Sequence, residues 1–127
     1  MSPVHTLLAI IPCNDLDKSE AFYNRLGFRK PAETPSYEGY RILFDGKGGQ
    51  VHLTNAVTGW LIPGHNPFGV YLYTEDVDEL AAAFPGDVIG KIGPEDKPWG
   101  MYEFALCDPD GTLVRIGWPS RLRTSNV

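Results

Sequence analysis

The stretch KPWGMYEFALCDPDGTLVRIGW, residues 97–118, contains the pattern that decides the fold. Two apolar runs flank Asp108-Pro109-Asp110-Gly111, where proline presets φ and glycine supplies the positive φ of a tight turn. This pattern predicts a β-hairpin. Ahead of it, Pro98-Trp99-Gly100 holds a large aromatic ring on a constrained loop. The Trp99 ring is therefore either a structural plug or one wall of a binding site.

Composition predicts a single globular domain. The 127 residues are 43% hydrophobic and 21% charged, which are ordinary values for a chain that can bury a core. The net charge is −5 and the 11 basic residues are scattered, which disfavours nucleic acid and favours a cationic small molecule as partner.

The cysteine count and the N-terminal sequence indicate a cytoplasmic protein. Cys13 and Cys107 are too few for a disulfide framework and lie outside any Cys-x-x-Cys motif, so we expect both to be reduced and buried. The apolar run at residues 7–12 is too short for a signal peptide or a membrane span, so we expect no membrane association.

The rest of the chain predicts two similar halves. Each half opens with an apolar strand and a helix that begins at an aspartate, Asp15 in one case and Asp76 in the other. Each then continues with three strands, the predicted strands being residues 7–11, 28–34, 40–44 and 50–54, then 68–73, 88–89 and the two arms of the hairpin. Asp45-Gly46 is expected to correspond to Asp110-Gly111, and Val51 to Val114.

These elements predict an α+β fold made of two pseudo-symmetric β-α-β-β-β modules that form a curved mixed sheet around a cleft. The modules span about residues 5–55 and 68–118 of a single domain covering residues 1–127, with a linker at about 56–67 that is rich in glycine and proline.

Two motifs within these modules resemble a known superfamily. They are DLDKSEAFYNRLGF at residues 15–28 and WGMYEFALCDPDG at residues 99–111. Together they resemble the glyoxalase, bleomycin-resistance protein and extradiol-dioxygenase group, which has the vicinal-oxygen-chelate fold. The resemblance spans about residues 7–118, and Pro98-Trp99-Gly100 is most similar to the bleomycin-resistance branch.

The resemblance also implies where a metal would bind. Enzymes of this fold hold a divalent cation with His and Glu side chains, and the corresponding positions here are Leu8 or its neighbour, His52, Pro67 or Phe68, and Arg115. Only His52 could coordinate a metal, and the permanent cation at Arg115 would repel one. We therefore expect no metal and no cofactor. The alternative is a metal-dependent lyase, isomerase or dioxygenase with displaced ligands such as His5, His52 and His65.

Drug-binding members of the group pair as homodimers and sandwich a planar group between aromatic rings at the interface. Trp99 and Tyr37 match the two stacking aromatics, and Trp60 could line the groove. His52 and Arg115 could contact the ligand, and Glu103 could supply negative charge to it. Each residue also has an ordinary structural interpretation: a packed aromatic ring, a satisfied polar side chain, or an arginine paired with an acid.

The sequence thus predicts a metal-independent, homodimeric protein that sequesters a planar, cationic drug of the glycopeptide type. Besides the enzyme alternative, a scaffold or sensor that binds an unrelated metabolite stays open.

Overall fold

The computed structural model describes residues 5–35 and 37–123, and it is an α+β protein with two mixed sheets. The chain divides into two compact units between Pro63 and Gly64, a boundary inside the predicted linker. The single domain stays a prediction. Within the described residues, no helix is long and apolar enough to cross a membrane.

The first unit contains a three-stranded sheet and one helix. Its elements are β1 (Ala9–Cys13), α1 (Leu16–Arg25), β2 (Tyr40–Phe44) and β3 (Gln50–Asn55). The central strand is β3, which pairs parallel with β1 and antiparallel with β2. The Asp15 side chain caps α1 by accepting a hydrogen bond from the Lys18 N–H, 3.1 Å away, as the sequence predicts.

The second unit contains a four-stranded sheet and a shorter helix. Its elements are β4 (Gly69–Tyr73), α2 (Val77–Ala82), β5 (Glu95–Asp96), β6 (Met101–Cys107) and β7 (Leu113–Pro119). The strand order is β4-β7-β6-β5, with β4 and β7 parallel and the other neighbours antiparallel. The hairpin predicted from residues 97–118 is confirmed as β6 and β7.

In each unit a helix packs against one face of the sheet, and the core residues of the central strands alternate onto that face. Helix α1 packs against β2 and β3, and α2 packs against β6 and β7. The buried core side chains of these strands are Leu43, Val51, Leu53, Phe104, Leu106, Val114 and Ile116. The intervening residues, which include His52 and Arg115, therefore project from the opposite face.

Two predicted strands are wrong. Residues 28–34 form no outer strand: only Arg29 pairs with Phe44, through two backbone hydrogen bonds of 2.8 and 2.9 Å. The chain then reaches Pro31, which has no N–H to donate to a ladder. Residues 88–89 are also not a strand, because the chain turns at Gly90 and Lys91, where φ is 83° and 59°. The short strand β5 lies further along instead.

The loops that close the two hairpins have the same hydrogen bonds. In the first, Asp45 Oδ1 accepts from the N–H groups of Lys47 and Gly49, both at 2.8 Å. In the second, Asp108 Oδ1 accepts from those of Asp110 and Thr112, both at 2.9 Å. Asp45 therefore corresponds to Asp108, and the predicted match with Asp110 is wrong by two residues.

Cys13 is buried as predicted, but Cys107 is exposed, so that part of the cysteine prediction is wrong. Cys107 is the last residue of β6, where the strand gives way to the hairpin loop. Neither Cys13 nor Cys107 forms a disulfide.

Candidate ligand-binding site

A buried carboxylate organises the sheet face of the second unit that α2 does not cover. Glu103 lies on β6 and is only 1% exposed. Its Oε1 accepts hydrogen bonds from the Tyr71 hydroxyl at 2.8 Å and from the Trp99 indole N–H at 3.0 Å. Its Oε2 accepts one from Arg115 Nη1 at 2.8 Å, which is also an ion pair. Side chains from β4, β7 and the loop before β6 thus converge on one acid.

The surroundings of Glu103 keep it ionised. Burial alone would raise the pKa of this carboxyl, because removal from water disfavours the charged form. The hydrogen bonds from Trp99, Tyr71 and Arg115, together with the positive charge of Arg115, outweigh burial and hold the pKa of Glu103 below its ordinary value. Burial and the hydrogen bond to this carboxylate raise the pKa of Tyr71, so its hydroxyl stays protonated and donates.

A glycine on β7 makes room for this arrangement. A Cβ at Gly117 would collide with the Tyr71 hydroxyl and would lie 2.8 Å from the Cβ of Glu103. Only a residue without a side chain allows Tyr71 to pass over β7 and reach Glu103. Gly117 is opposite Glu103 in the antiparallel pairing of β6 and β7.

Two aromatic side chains, Trp99 and Tyr71, are hydrogen-bonded to the carboxylate, and a third, Tyr73, lies beside Tyr71. Trp99 is 62% exposed, so it is not a buried plug, and it lies in a tight turn closed by the hydrogen bond from the Gly100 N–H to the Lys97 carbonyl. Tyr71 and Tyr73 are two residues apart on β4, with ring centroids 4.7 Å from each other. The Tyr73 ring is 61% exposed. The region therefore offers aromatic surface to a ligand.

A cavity of about 250 Å³ lies beside the carboxylate in the same unit. Glu103 and Arg115 line one part of it, and the residues of the loop at 89–93 line another, including Ile89 and Ile92. Both isoleucines are more than half exposed. The cavity thus combines an ion pair with apolar side chains.

His52 lies in the first unit, at the position of β3 that corresponds to Arg115 on β7. It pairs with Ile10 and Ile42 in the sheet, as Arg115 pairs with Tyr71 and Ala105. Both ring nitrogens have partners: Nδ1 is 2.6 Å from the Tyr40 hydroxyl, and Nε2 is 2.8 Å from Gln50 Nε2. Burial lowers the pKa of His52, which favours the neutral ring.

The other two predicted aromatics also lie in the first unit. Tyr37 is 52% exposed and borders a cavity of about 330 Å³, which is also lined by Lys30 and Glu38. Trp60 is 80% exposed, and its backbone N–H donates to the Val57 carbonyl in a turn. Its neighbour Leu61 is the residue of this segment that packs into the interior.

The structure thus brings Trp99, Glu103 and Arg115 into one network and leaves His52 in another. Tyr37 and Trp60 lie in the unit that contains His52, and their ligand-binding roles stay predictions. Within residues 5–35 and 37–123, no group of three or more His, Cys, Asp or Glu side chains is arranged to hold a metal ion.

Sequence reasoning missed Tyr71, Tyr73 and Gly117. The alternation Tyr71-Leu72-Tyr73 does put both rings on one face of a strand. The proximity of Tyr71 to Glu103, however, depends on the pairing of β4 with β7, which no local pattern indicates.

Comparison with known proteins identifies the family. The model of the Glyoxalase/Bleomycin resistance protein/Dioxygenase superfamily matches residues 3–116, nearly the whole chain. The chain belongs to this superfamily. The resemblance found in the sequence motifs is thereby confirmed.

Solved structures with the same fold include proteins that bind antibiotics. A bleomycin-binding protein complexed with bleomycin is 28% identical, with a TM-score of 0.70 over 91% of this chain and 98% of that one. A bleomycin resistance determinant encoded on the transposon Tn5 is 27% identical, with a TM-score of 0.72 and the same coverage. TnmS3, an antibiotic binding protein from Streptomyces sp. CB03234, is 28% identical, with a TM-score of 0.69 over 94% and 99%. No curated protein sequence matches the chain.

Proposed function

We propose that this superfamily member binds and sequesters a planar, cationic antibiotic of the bleomycin type, without metal and without turnover. It acts as a homodimer, with the drug in an aromatic groove at the interface between two copies. Trp99 stacks on the planar group of the drug, and Tyr37, Trp60, His52 and Arg115 are further ligand contacts.

One observation carries the proposal: a 62% exposed tryptophan is held by a hydrogen bond in a chain similar to antibiotic-binding proteins. An exposed ring can offer its face to a planar group, and aromatic stacking contributes about 0.5–1.5 kcal/mol per pair beyond area burial. The exposed ring of Tyr73 on β4 adds to this aromatic surface.

The proposal that no metal is needed is supported by two of the residues at the superfamily's metal-binding positions, Arg115 and His52. Arg115 is a permanent cation that is already paired with Glu103. His52 has both ring nitrogens within hydrogen-bonding distance of Tyr40 and Gln50, so it would have to break one of these contacts to coordinate a metal. Elemental analysis of protein purified without chelators tests this part of the proposal. Stoichiometric zinc, nickel, iron or manganese would contradict it and favour the enzyme alternative.

The preference for a cation is supported by the net charge of −5, which attracts cationic ligands over a distance. Glu103 adds little to this preference, because Arg115 neutralises it and three donors occupy its oxygens. The attraction is therefore a property of the whole surface and should weaken with added salt.

Calorimetric titration with bleomycin tests the proposal. We expect the wild-type protein to bind with a dissociation constant in the micromolar range or below, and Trp99→Ala to weaken binding by about tenfold, the equivalent of roughly 1.4 kcal/mol. Leu122→Ala is the control, since Leu122 is also an exposed apolar residue but is not among the proposed ligand contacts. Absence of heat from the wild-type protein at micromolar concentrations would refute the drug assignment.

A further inference from the structure

The Trp99 ring is largely exposed and is held by one hydrogen bond. It is 62% exposed and is followed by Gly100, whose φ of 86° reverses the chain. An exposed side chain in such a turn can change rotamer freely unless a specific bond prevents it. The indole has a single donor, Nε1–H, and that donor bonds to Glu103 at 3.0 Å.

Glu103, in contrast, is held firmly. It is 1% exposed and lies within a seven-residue strand that is paired on both sides. Tyr71 and Arg115 hold its two oxygens from neighbouring elements, at 2.8 Å each. The acceptor for the Trp99 N–H is therefore at a defined point in the sheet.

We propose that Glu103 is a positioning residue: its carboxylate holds the Trp99 indole in one orientation and does not itself contact the ligand. The indole edge points to the acid, so a face of the ring is left for a planar group to stack on. Arg115 offsets the cost of the buried charge, and Tyr71 completes the hydrogen bonds of Oε1. The consequence for ligand binding rests on the function proposed above, whereas the orientation of the indole does not.

This role differs from that of a counterion for a cationic drug. A counterion needs a carboxylate oxygen that the ligand can approach, but three donors already hold the oxygens of Glu103. A positioning residue needs only to be rigid, buried and within reach of the indole, as Glu103 is.

The first experiment measures the indole directly and uses no ligand. The chain has three tryptophans and so gives three indole N–H signals in a ¹⁵N NMR spectrum, and Trp99→Phe assigns the one from Trp99. In Glu103→Ala we expect this signal to move upfield and to exchange with water about tenfold faster, as on loss of a charge-assisted hydrogen bond. Glu103→Gln keeps an acceptor oxygen of the same reach and should restore part of the protection.

The signals of Trp60 and Trp118 serve as internal controls, because neither is bonded to Glu103 in the structure. An unchanged Trp99 signal in both Glu103→Ala and Glu103→Gln would overturn the proposal. Glu103→Ala leaves Arg115 without its acid, but Arg115 is 42% exposed and can be hydrated. If that variant nevertheless fails to fold, the Gln variant, which keeps the size of the side chain, provides the comparison.

The second experiment is a double-mutant cycle with bleomycin as ligand. If Glu103 acts only through Trp99, Glu103→Ala weakens binding several-fold in the wild-type background but has no further effect in Trp99→Ala. Additive losses in the double variant would mean that Glu103 affects drug binding by a route other than Trp99, either by direct contact or through Arg115, and would overturn the proposal. If the wild-type protein binds no bleomycin, the proposed function fails, and the NMR comparison still decides whether Glu103 orients the ring.

Discussion

At the residue scale, Glu103 and Arg115 are each the charged partner of the other. A carboxylate that is 1% exposed requires a partner charge and several hydrogen-bond donors, and Arg115, Tyr71 and Trp99 supply them. The sequence suggested that Arg115 opposes a metal, binds a ligand or pairs with an acid. The last of these describes its contact with Glu103, and its binding of a ligand stays a prediction.

The hydrogen bonds from Trp99 and Tyr71 to Glu103, together with its ion pair with Arg115, make stability depend on pH. Because the pKa of Glu103 is lower in the folded protein than its ordinary value of 4.5, the folded state binds fewer protons than the unfolded state. The contribution is present above about pH 4.5 and is lost as the pH falls through the folded pKa. We expect Glu103→Gln to lower the free energy of unfolding more at about pH 7 than at about pH 3, measured by urea denaturation. An equal loss at both pH values would contradict this prediction.

Gly117 is the residue whose replacement we expect to disturb the network most directly. In Gly117→Ala the new methyl group meets the Tyr71 hydroxyl and the Cβ of Glu103, so the sheet or the tyrosine must move. We expect a loss of about 1–3 kcal/mol in the free energy of unfolding, measured by chemical denaturation. Gly69→Ala is the matched control, because a Cβ on that strand would meet the Leu113 carbonyl only at an ordinary 3.5 Å. Equal effects of the two substitutions would show that the crowding around Tyr71 is unimportant.

At the scale of elements, the two hairpin loops show the internal repeat most clearly. Asp45 and Asp108 each accept hydrogen bonds from the N–H groups two and four residues ahead. The distance in sequence between them is the same as that between Val51 and Val114 in the strands that follow. The repeat therefore includes the conformation of the loop as well as the pattern of the strands. The correspondence between the two loops rests on the aspartates that accept these hydrogen bonds, and not on the proline and glycine of the second loop.

The two loops differ in burial, and this predicts a difference in stability. Asp108 is 5% exposed, whereas Asp45 is only half-buried. Asp108→Ala leaves two buried N–H groups without their acceptor, so we expect it to lower the free energy of unfolding by about 1–3 kcal/mol. Asp45→Ala should have a smaller effect, because water can replace the lost acceptor. Thermal denaturation of both variants checks the order, and a larger loss for Asp45→Ala would contradict it.

At the scale of the whole molecule, exposed apolar side chains are found in both units. Among the described residues more than half exposed are Leu7, Ile10, Trp60, Tyr73 and Trp99. Where such side chains form a contiguous patch, that patch commonly serves as an interface with a ligand or another chain. These exposed side chains support the proposed homodimer, in which part of this surface would be covered by a second copy.

The homodimer leads to a prediction for the intact protein. Sedimentation velocity at micromolar concentration should give twice the chain mass of 14.1 kDa.

Bleomycin should raise the melting temperature of the protein once the drug concentration exceeds the dissociation constant, since a ligand that binds only the folded state stabilises it. A monomer that still binds the drug would remove the dimer from the proposed function and leave the drug binding.

The sequence by itself determined the elements whose signals are local. The hairpin of β6 and β7, the strand β2 and the Asp15 cap of α1 follow from turn residues, alternation and capping, and the motifs at residues 15–28 and 99–111 led to the superfamily. The prediction of an outer strand at residues 28–34 was wrong because a strand needs a pairing partner along its length. Among these residues, only Arg29 has one.

Only the tertiary structure decided the composition of the site. The sequence motif indicated that Trp99 is a candidate, but the hydrogen bond from Trp99 to Glu103 depends on how the loop folds back onto β6. Tyr71 joins them because β4 pairs in parallel with β7, more than 40 residues away along the chain, and because Gly117 leaves space between them. Such contacts arise from strand pairing and burial, which depend on the whole chain and not on neighbouring residues.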